Sequence, residues 1–195
     1  MQFVLASHNK KKLEELSTIL GGLGIEVIPL PEDAPEPEEN GKTFEENARI
    51  KALAAHQHTG LPAIADDSGL AVDALSGAPG VYSARYCSGS DADRNLFLLK
   101  NMEHVDECER QARFVCTICC ILPDGQEIVV RGECEGEILT EQHGTGGFGY
   151  DPLFYVREYD CTFAELPAEV KNRISHRAHA LEKLAAVLRK KLKSV

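Results

Sequence analysis

Two acids and a hydroxyl, Asp66-Asp67-Ser68-Gly69, follow the apolar run Leu61-Pro62-Ala63-Ile64-Ala65. A carboxylate at the exit of a buried strand, next to Ser-Gly, suits a divalent cation held beside a phosphate. Mg²⁺ takes one or two carboxylates and completes its shell with water and phosphate oxygens. The same residues also make an ordinary capped turn. Side chains alternate along a strand, so if the strand persists through the doublet only one acid faces a given site and the other is structural.

Cations come next. Ser7-His8-Asn9-Lys10-Lys11-Lys12 lies between an apolar strand-like run and a helical pattern. Lysines in a first helical turn oppose the macrodipole, at about 0.3–1 kcal/mol each where exposed. A bound polyanion reverses that sign, because free N–H groups at a helix start together with ammonium groups make a phosphate cradle. The plain alternative is a solvated basic helix start. A third element is the Pro- and Glu-rich stretch 29–41, carrying Glu32, Asp33, Glu36, Glu38 and Glu39. Such a loop is ordinarily just solvated. It ends, however, at Thr43-Phe44-Glu45-Glu46, a capping box, which brings a Glu just ahead of the cap within reach of a metal near Asp67. Lys51 lies four residues after Asn47 and seven after Phe44, so it shares their face and either points inward or snorkels along a packed helix.

The elements that must position these groups follow from periodicity. Phe3-Val4-Leu5-Ala6 reads as a buried strand, and Leu13, Leu16 and Leu20 as the inner face of a helix ending at Gly21-Gly22. Gly24-Ile25-Glu26-Val27-Ile28 is a second strand. The capped helix runs through Ala55 and stops at Gly60 with Pro62. Leu70-Ala71-Val72 continues the strand after the acid doublet, ahead of a turn at residues 77–80. In residues 81–86, Arg85 is a candidate phosphate or interface residue. A helix is expected over 91–102 with Leu96, Leu99 and Met102 inward. Strands over 114–122 and 127–139 flank Pro123-Asp124-Gly125-Gln126 as a hairpin, with Glu133, Glu135 and Glu137 on one exposed face. Gly144-Thr145-Gly146-Gly147-Phe148-Gly149 matches GxGxxG, but no helix pattern follows it, so a dinucleotide fingerprint is rejected. What remains is a loop whose backbone approaches a ligand, with Phe148 free to stack on a ring. A last helix starts near Ser175 and buries Leu181, Leu184, Leu188 and Leu192. Donors at its start, in Ser175-His176-Arg177, could serve an anion or a base carbonyl.

The bulk properties set limits. The chain has 195 residues, 43% hydrophobic and 27% charged, with a formal charge of −10. That length suits one domain over 1–195, with two lobes around a shared sheet as a variant, and nothing reads as a repeat or linker. The acidic balance argues against a nucleic-acid-coating surface and against a basic membrane-binding face. The first apolar run is too short for a signal peptide and no segment reaches membrane-spanning length, so a cytoplasmic protein is expected. Seven scattered cysteines do not form a disulfide framework. Cys116-Thr117-Ile118-Cys119-Cys120 has no second ligand pair at zinc-finger spacing and reads as buried strand thiols.

The order of motifs resembles the inosine triphosphatase, or Ham1-like, family of non-canonical purine nucleoside triphosphate pyrophosphatases. The resemblance is carried by residues 7–12, by Glu39-Asn40-Gly41-Lys42-Thr43-Phe44-Glu45-Glu46-Asn47-Ala48, and by Ala65-Asp66-Asp67-Ser68-Gly69-Leu70. It continues through Pro79-Gly80-Val81-Tyr82-Ser83-Ala84-Arg85, Gly146-Gly147-Phe148-Gly149-Tyr150-Asp151-Pro152 and Ile174-Ser175-His176-Arg177. Ser7 stands where Thr is more usual, and His8 where Gly is common. The resemblance implies an α/β fold with a long mixed central sheet flanked by helices, two lobes with the nucleotide groove between them, and a homodimer. It implies Mg²⁺-dependent hydrolysis of ITP, dITP and XTP to the monophosphate and pyrophosphate. Asp67 is then the metal-linked general base and Glu39 a metal ligand. Ser7, His8, Asn9, Lys10, Lys11, Lys12 and Ser68 make the phosphate cradle, with Lys51 nearby. Phe148, Gly149, Tyr150, Asp151, Lys171, His176 and Arg177 hold the base and adjacent groups.

The chemistry agrees with these segments, since water attack on a triphosphate needs charge neutralisation and an oriented base. A 6-keto purine offers an acceptor where adenine offers an amine, which Arg177 or loop N–H groups distinguish by about 1–3 kcal/mol per good contact. A nucleotide sensor without turnover and a pyrophosphatase for pyrimidine nucleotides are the alternatives. Glu39 and Asp67 weigh against the sensor, because carboxylates beside an anion need a metal between them.

Overall fold

The computed structural model describes residues 1–192, except for the side chains of Lys11 and Leu192. The expected burial of Leu192 therefore lies outside the described residues. In order, the elements are β1 (Gln2–Leu5), α1 (Lys10–Gly21), β2 (Glu26–Pro29), α2 (Phe44–Thr59), β3 (Ala63–Val72), α3 (Asp91–Asn101), β4 (Gln111–Ile121), β5 (Glu127–Ile138), β6 (Phe154–Val156), β7 (Cys161–Thr162), α4 (Ala168–Ile174) and α5 (His176–Leu192). Short 3₁₀ turns include Asp73–Leu75 and Gly80–Arg85. The strands form one mixed seven-stranded sheet in the order β2-β1-β3-β4-β5-β6-β7. β1 pairs in parallel with β2 and β3, whereas β5–β6 and β6–β7 are antiparallel.

The chain divides into two compact units, and β3, β4 and β5 contribute residues to both. One comprises residues 1–67, 116–132 and 179–195; the other comprises 68–115 and 133–178. In the first, alternation along the strands sorts side chains to two helical layers. Phe3, Leu5 and Ile64 pack with Leu16 and Leu20 of α1 and Leu181, Leu184 and Leu188 of α5. Val4, Ala63 and Ala65 belong to clusters with Ala48, Ala52 and Ala55 of α2. Small residues at this helical spacing let α2 lie close to the strands. Its start is the expected capping box: Thr43 Oγ1 accepts from the Glu46 N–H at 3.1 Å, and Glu46 accepts from the Thr43 N–H at 3.2 Å. It ends at Gly60.

The second unit has its own core of Leu70, Val72, Leu98, Met102, Phe114, Leu153, Phe154 and Phe163. Here one expectation is corrected: Leu96 is 60% exposed, while Asn95, Leu98 and Met102 are the buried residues of α3 and its end. The inward stripe keeps helical spacing but passes through a polar residue, which a pattern of apolar residues alone cannot reveal. β4 and β5 form the expected hairpin, with the Leu122 N–H on Gln126 O at 2.9 Å. Glu135 is exposed, and Glu133 and Glu137 are half-buried. α4 precedes α5 and was not anticipated.

The cysteines are all free thiols. Cys116, Cys119, Cys120 and Cys134 are buried, and burial pushes Cys119 and Cys134 up to about 11 and Cys120 to about 12.

Arg110, only 5% exposed, ties α3 to the end of β5. Its guanidinium donates to the carbonyls of Ile138 at 2.7 Å, Leu139 at 3.0 Å, Met102 at 3.1 Å and Val105 at 3.3 Å. The Met102 and Val105 carbonyls lie just past the negative end of the α3 dipole, which suits a cation. Burial lowers the guanidinium from its ordinary value, but an arginine stays charged. Arg110→Ala removes donors from buried carbonyls and is expected to cost about 3 kcal/mol or more in urea denaturation. Arg110→Lys should recover only part of this, since one ammonium lacks the planar fork.

Candidate active site

In the first unit, the groups singled out from the sequence converge on the C-terminal end of β1 and on β3. A cavity of about 270 Å³ is lined by Ser7, His8, Lys12, Glu39, Lys51 and Asp66, among others. Asn9 starts α1: its Oδ1 accepts from the Lys12 N–H at 3.4 Å and its carbonyl from the Leu13 N–H at 3.1 Å. The Asn9 N–H in turn donates to Ser7 Oγ at 3.2 Å. Lys10 is exposed at the first helical position, and the Lys11 side chain lies outside the described residues.

β3 does persist through the doublet, and the two acids take partners from opposite layers. Asp66 accepts from Lys12 Nζ of α1 at 2.8 Å, and Asp67 from Lys51 Nζ of α2 at 2.9 Å. The Lys51 ammonium is also 3.3 Å from Glu39 Oε1. One cation therefore bridges the two carboxylates expected to hold a metal. Asn47 completes the arrangement. It is fully buried, donates through Nδ2 to Asp67 Oδ2 at 3.2 Å, and accepts the Gly41 N–H through Oδ1 at 2.9 Å. It thus ties the end of the acidic loop, two residues from Glu39, to the catalytic candidate on β3. Gly41 permits this approach, since a Cβ there would stand 2.6 Å from Asn47 Oδ1 and 2.7 Å from Glu46 Cβ. In the sequence Asn47 only marked the face of Lys51. Its signal was a polar residue on the buried face of a capped helix.

Burial dominates the electrostatics. It raises the Asp67 carboxyl by more than the Lys51 and Asn47 hydrogen bonds lower it. Burial also works to lower the Lys51 ammonium, but Asp67 and then Glu39 outweigh it and hold Lys51 above its ordinary value. The site is therefore an ionised, charge-alternating cluster whose carboxylate is a better proton acceptor than an exposed aspartate. Its oxygen-only donors suit a hard divalent cation, and the ammonium marks the point on which they converge. Among the described residues no three or more His, Cys, Asp or Glu side chains group to hold a metal. With Glu39 and Asp67 as its protein ligands, an ion would take the rest of its shell from water and ligand oxygens.

In the second unit, residues 146–151 carry the ring and the polar groups expected to meet a base. Phe148 is 60% exposed, and the Lys171 ammonium lies 4.6 Å from its ring centroid. Lys171 also pairs with Asp151, whose Oδ2 accepts the Phe148 N–H at 2.7 Å. Gly147 has φ 74°, and a Cβ there would fall 2.1 Å from Asp151 Oδ2. Tyr150 is buried, with its hydroxyl donating to the Ser83 carbonyl at 2.9 Å. Tyr150 and Asp151 hold the loop, leaving the Phe148 ring presented. His176, at the start of α5, is buried and stacked on Phe114 at 5.0 Å, and Arg177 is half-buried beside it in sequence. Ser68, on β3, is half-buried. Arg85 is exposed, its guanidinium 5.3 Å from the Tyr82 ring centroid.

A mixed α/β sheet whose β3 carries paired carboxylates, each met by a lysine from a flanking helix, is an arrangement suited to phosphate and a cation. The comparisons make this specific: the Ham1 family model matches residues 3–187, and the chain belongs to that family. It is 54% identical to the dITP/XTP pyrophosphatase of Geobacter sulfurreducens, covering 92% of each chain. It is 52% identical to the protein of the same name from Pseudomonas aeruginosa, over 92% of this chain and 93% of that one. The Ham1 protein of Coxiella burnetii superposes with a TM-score of 0.92 at 46% identity, covering 97% of this chain and 99% of the other. The Ham1 protein of Staphylococcus aureus gives 0.92 at 41% identity, over 98% and 100%.

The Lys12–Asp66 pair alters what removing Lys12 should do. Helix-dipole reasoning alone expects no loss of stability, but Asp66 is 5% exposed and would lose this ion pair. Lys12→Ala should therefore lower stability by about 1–3 kcal/mol, and less in an Asp66→Asn background. A double-mutant cycle in urea measures the coupling.

Proposed function

We propose that this protein hydrolyses non-canonical purine nucleoside triphosphates, ITP, dITP and XTP, to the monophosphate and pyrophosphate, and so cleanses the nucleotide pool. The observation that carries the reading is the Lys51 ammonium held between Glu39 and Asp67, beside the Lys12–Asp66 pair. Relatives about half identical over nearly their whole length, named dITP/XTP pyrophosphatases, support the substrate class. Glu39 and Asp67 would hold Mg²⁺, which when bound supplies charge neutralisation at the phosphate oxygens. Asp67, its carboxyl raised by burial, takes the proton from the attacking water. The water oxygen bonds to the α-phosphorus, the bond from that phosphorus to the oxygen bridging it to the β-phosphorus breaks, and pyrophosphate leaves with the bonding electrons. Lys12 and the α1 N-terminus, with Ser7, His8, Asn9, Lys10, Lys11, Ser68 and Lys51, neutralise and orient the phosphates.

At the base end, the exposed Phe148 ring stacks on a purine without reading its edge. Arg177 or N–H groups of residues 146–151 supply donors for a 6-keto oxygen, while His176, Lys171 and Asp151 shape their surroundings. A cytoplasmic location is in keeping with the cysteines, all of them free thiols. A homodimer is part of the same reading, and Leu96, 60% exposed, is an apolar residue such an interface would cover. No nucleic acid partner is proposed, in keeping with the charge of −10.

Pyrophosphate release from ITP, dITP, XTP, ATP, GTP and dTTP, with and without Mg²⁺, tests the reading. The first three should lead, and chelation should abolish turnover. Asp67→Asn should lower kcat by about 10²–10⁴ while leaving the thermal midpoint near the wild-type value. Near-normal turnover of that variant at saturating Mg²⁺ would remove Asp67 from the mechanism. The oligomer is tested separately by light scattering: Leu96→Glu should shift a dimer towards monomer, and an unchanged mass would move the interface elsewhere.

A further inference from the structure

The geometry points to Asp91 and Asn95 of α3 as positioning residues that grip both polar groups of Gly149, and so set the loop at 146–151 for purine binding. The inference rests on the pyrophosphatase reading above. Gly149 carries no side chain, so packing cannot fix its place and hydrogen bonds must do so. The Gly149 N–H donates to Asp91 Oδ2 at 2.8 Å, and Asn95 Nδ2 donates to the Gly149 carbonyl at 3.0 Å. The two side chains are four residues apart, on one face of α3, which is the spacing needed to reach one residue from both sides.

The carboxylate of the clamp is itself held. Asp91 is the first residue of the helix, where the dipole favours a carboxylate, and its other oxygen accepts from Arg94. Arg94 is anchored in turn on the Gly89 carbonyl at 2.9 Å. The Arg94 hydrogen bond, then that of the Gly149 N–H, keep Asp91 below the usual carboxylate range, so it is charged at neutral pH. Asn95 is 2% exposed. An amide buried in a helix face otherwise lined by Leu98 and Met102 is costly unless its hydrogen bonds serve something. Here its nitrogen meets the loop residue directly after Phe148, the ring offered to the base. Residues 148, 150 and 151 have other anchors, on Asp151, Ser83 and Lys171, so the clamp supplies the hold on 149.

Loosening the clamp should reduce preorganisation of the base-side loop and leave the chemistry at Asp67 alone. Asp91→Ala and Asn95→Leu are expected to raise KM for ITP about tenfold with kcat within about twofold of wild type. Asn95→Leu keeps the buried volume, so its thermal midpoint should stay high while KM rises. Asp91→Asn keeps an acceptor oxygen for the Gly149 N–H and should restore KM. Inhibition by inorganic tripolyphosphate, which lacks a base, should be unchanged in all three. Ser90→Ala is the structural control. It removes the α3 capping box, so the thermal midpoint should fall with KM unmoved. Amide hydrogen exchange over 147–151 should quicken in Asp91→Ala and Asn95→Leu but not in Ser90→Ala.

If KM tracks the thermal midpoint across all variants, or if loop exchange is unchanged in Asp91→Ala and Asn95→Leu, the positioning role is overturned. Failure of the wild-type protein to turn over any of ITP, dITP and XTP would instead overturn the enzymatic reading, and loop exchange would still report on the clamp.

Discussion

The ion contact of Lys51 with Glu39 and Asp67 is the constraint around which the first unit is arranged. Its three groups come from a Pro-rich loop, a helix and a strand, and none is adjacent in sequence. Two carboxylates brought together repel, Asp67 is poorly solvated as well, and the cation between them offsets both. The capping box of α2, the alanine face that lets α2 approach β3, and Asn47 joining Gly41 to Asp67 all serve that one placement. With the Lys12–Asp66 pair included, acids outnumber lysines. Under the proposed reading, that excess of acid is what a bound divalent cation would offset.

The second unit solves a different problem, presenting an apolar ring to solvent on a loop with little packing of its own. Asp151 holds the loop from within, Lys171 of α4 grips Asp151, and Tyr150 pins the loop to Ser83. The exposed Phe148 ring is thus a consequence of rigid neighbours. A stacking platform of this kind binds rings by area and leaves discrimination to directional donors.

Much of this was legible in the sequence where the signal is local. Thr43-Phe44-Glu45-Glu46 announced a cap because the residues that make it are neighbours, and Leu13, Leu16 and Leu20 announced a helix face by spacing alone. The strand through Asp66 and Asp67, with its two-sided consequence, followed from alternation. What could not be read was long-range. Nothing near Lys12 indicates that its partner is 54 residues away, and Arg110 gives no local sign of the four carbonyls it joins. Leu96 was assigned inward because a pattern built on apolar residues skips Asn95, the residue that tertiary hydrogen bonding brings inside. α4 is seven residues long, too short for periodicity to rise above noise.

The cysteines carry a consequence for the chemistry of the whole molecule. Burial keeps Cys119, Cys120 and Cys134 protonated far above neutral pH, and thiols in that state are poor nucleophiles. Cys108, in the turn just ahead of Arg110, is the exposed one, with Cys87 and Cys161 half-covered. Thiol reactivity is therefore graded by depth. Electrophiles and oxidants meet the exposed Cys108 before the buried thiols of the sheet. That grading also makes Cys108 the natural attachment point for a spectroscopic probe on the native chain.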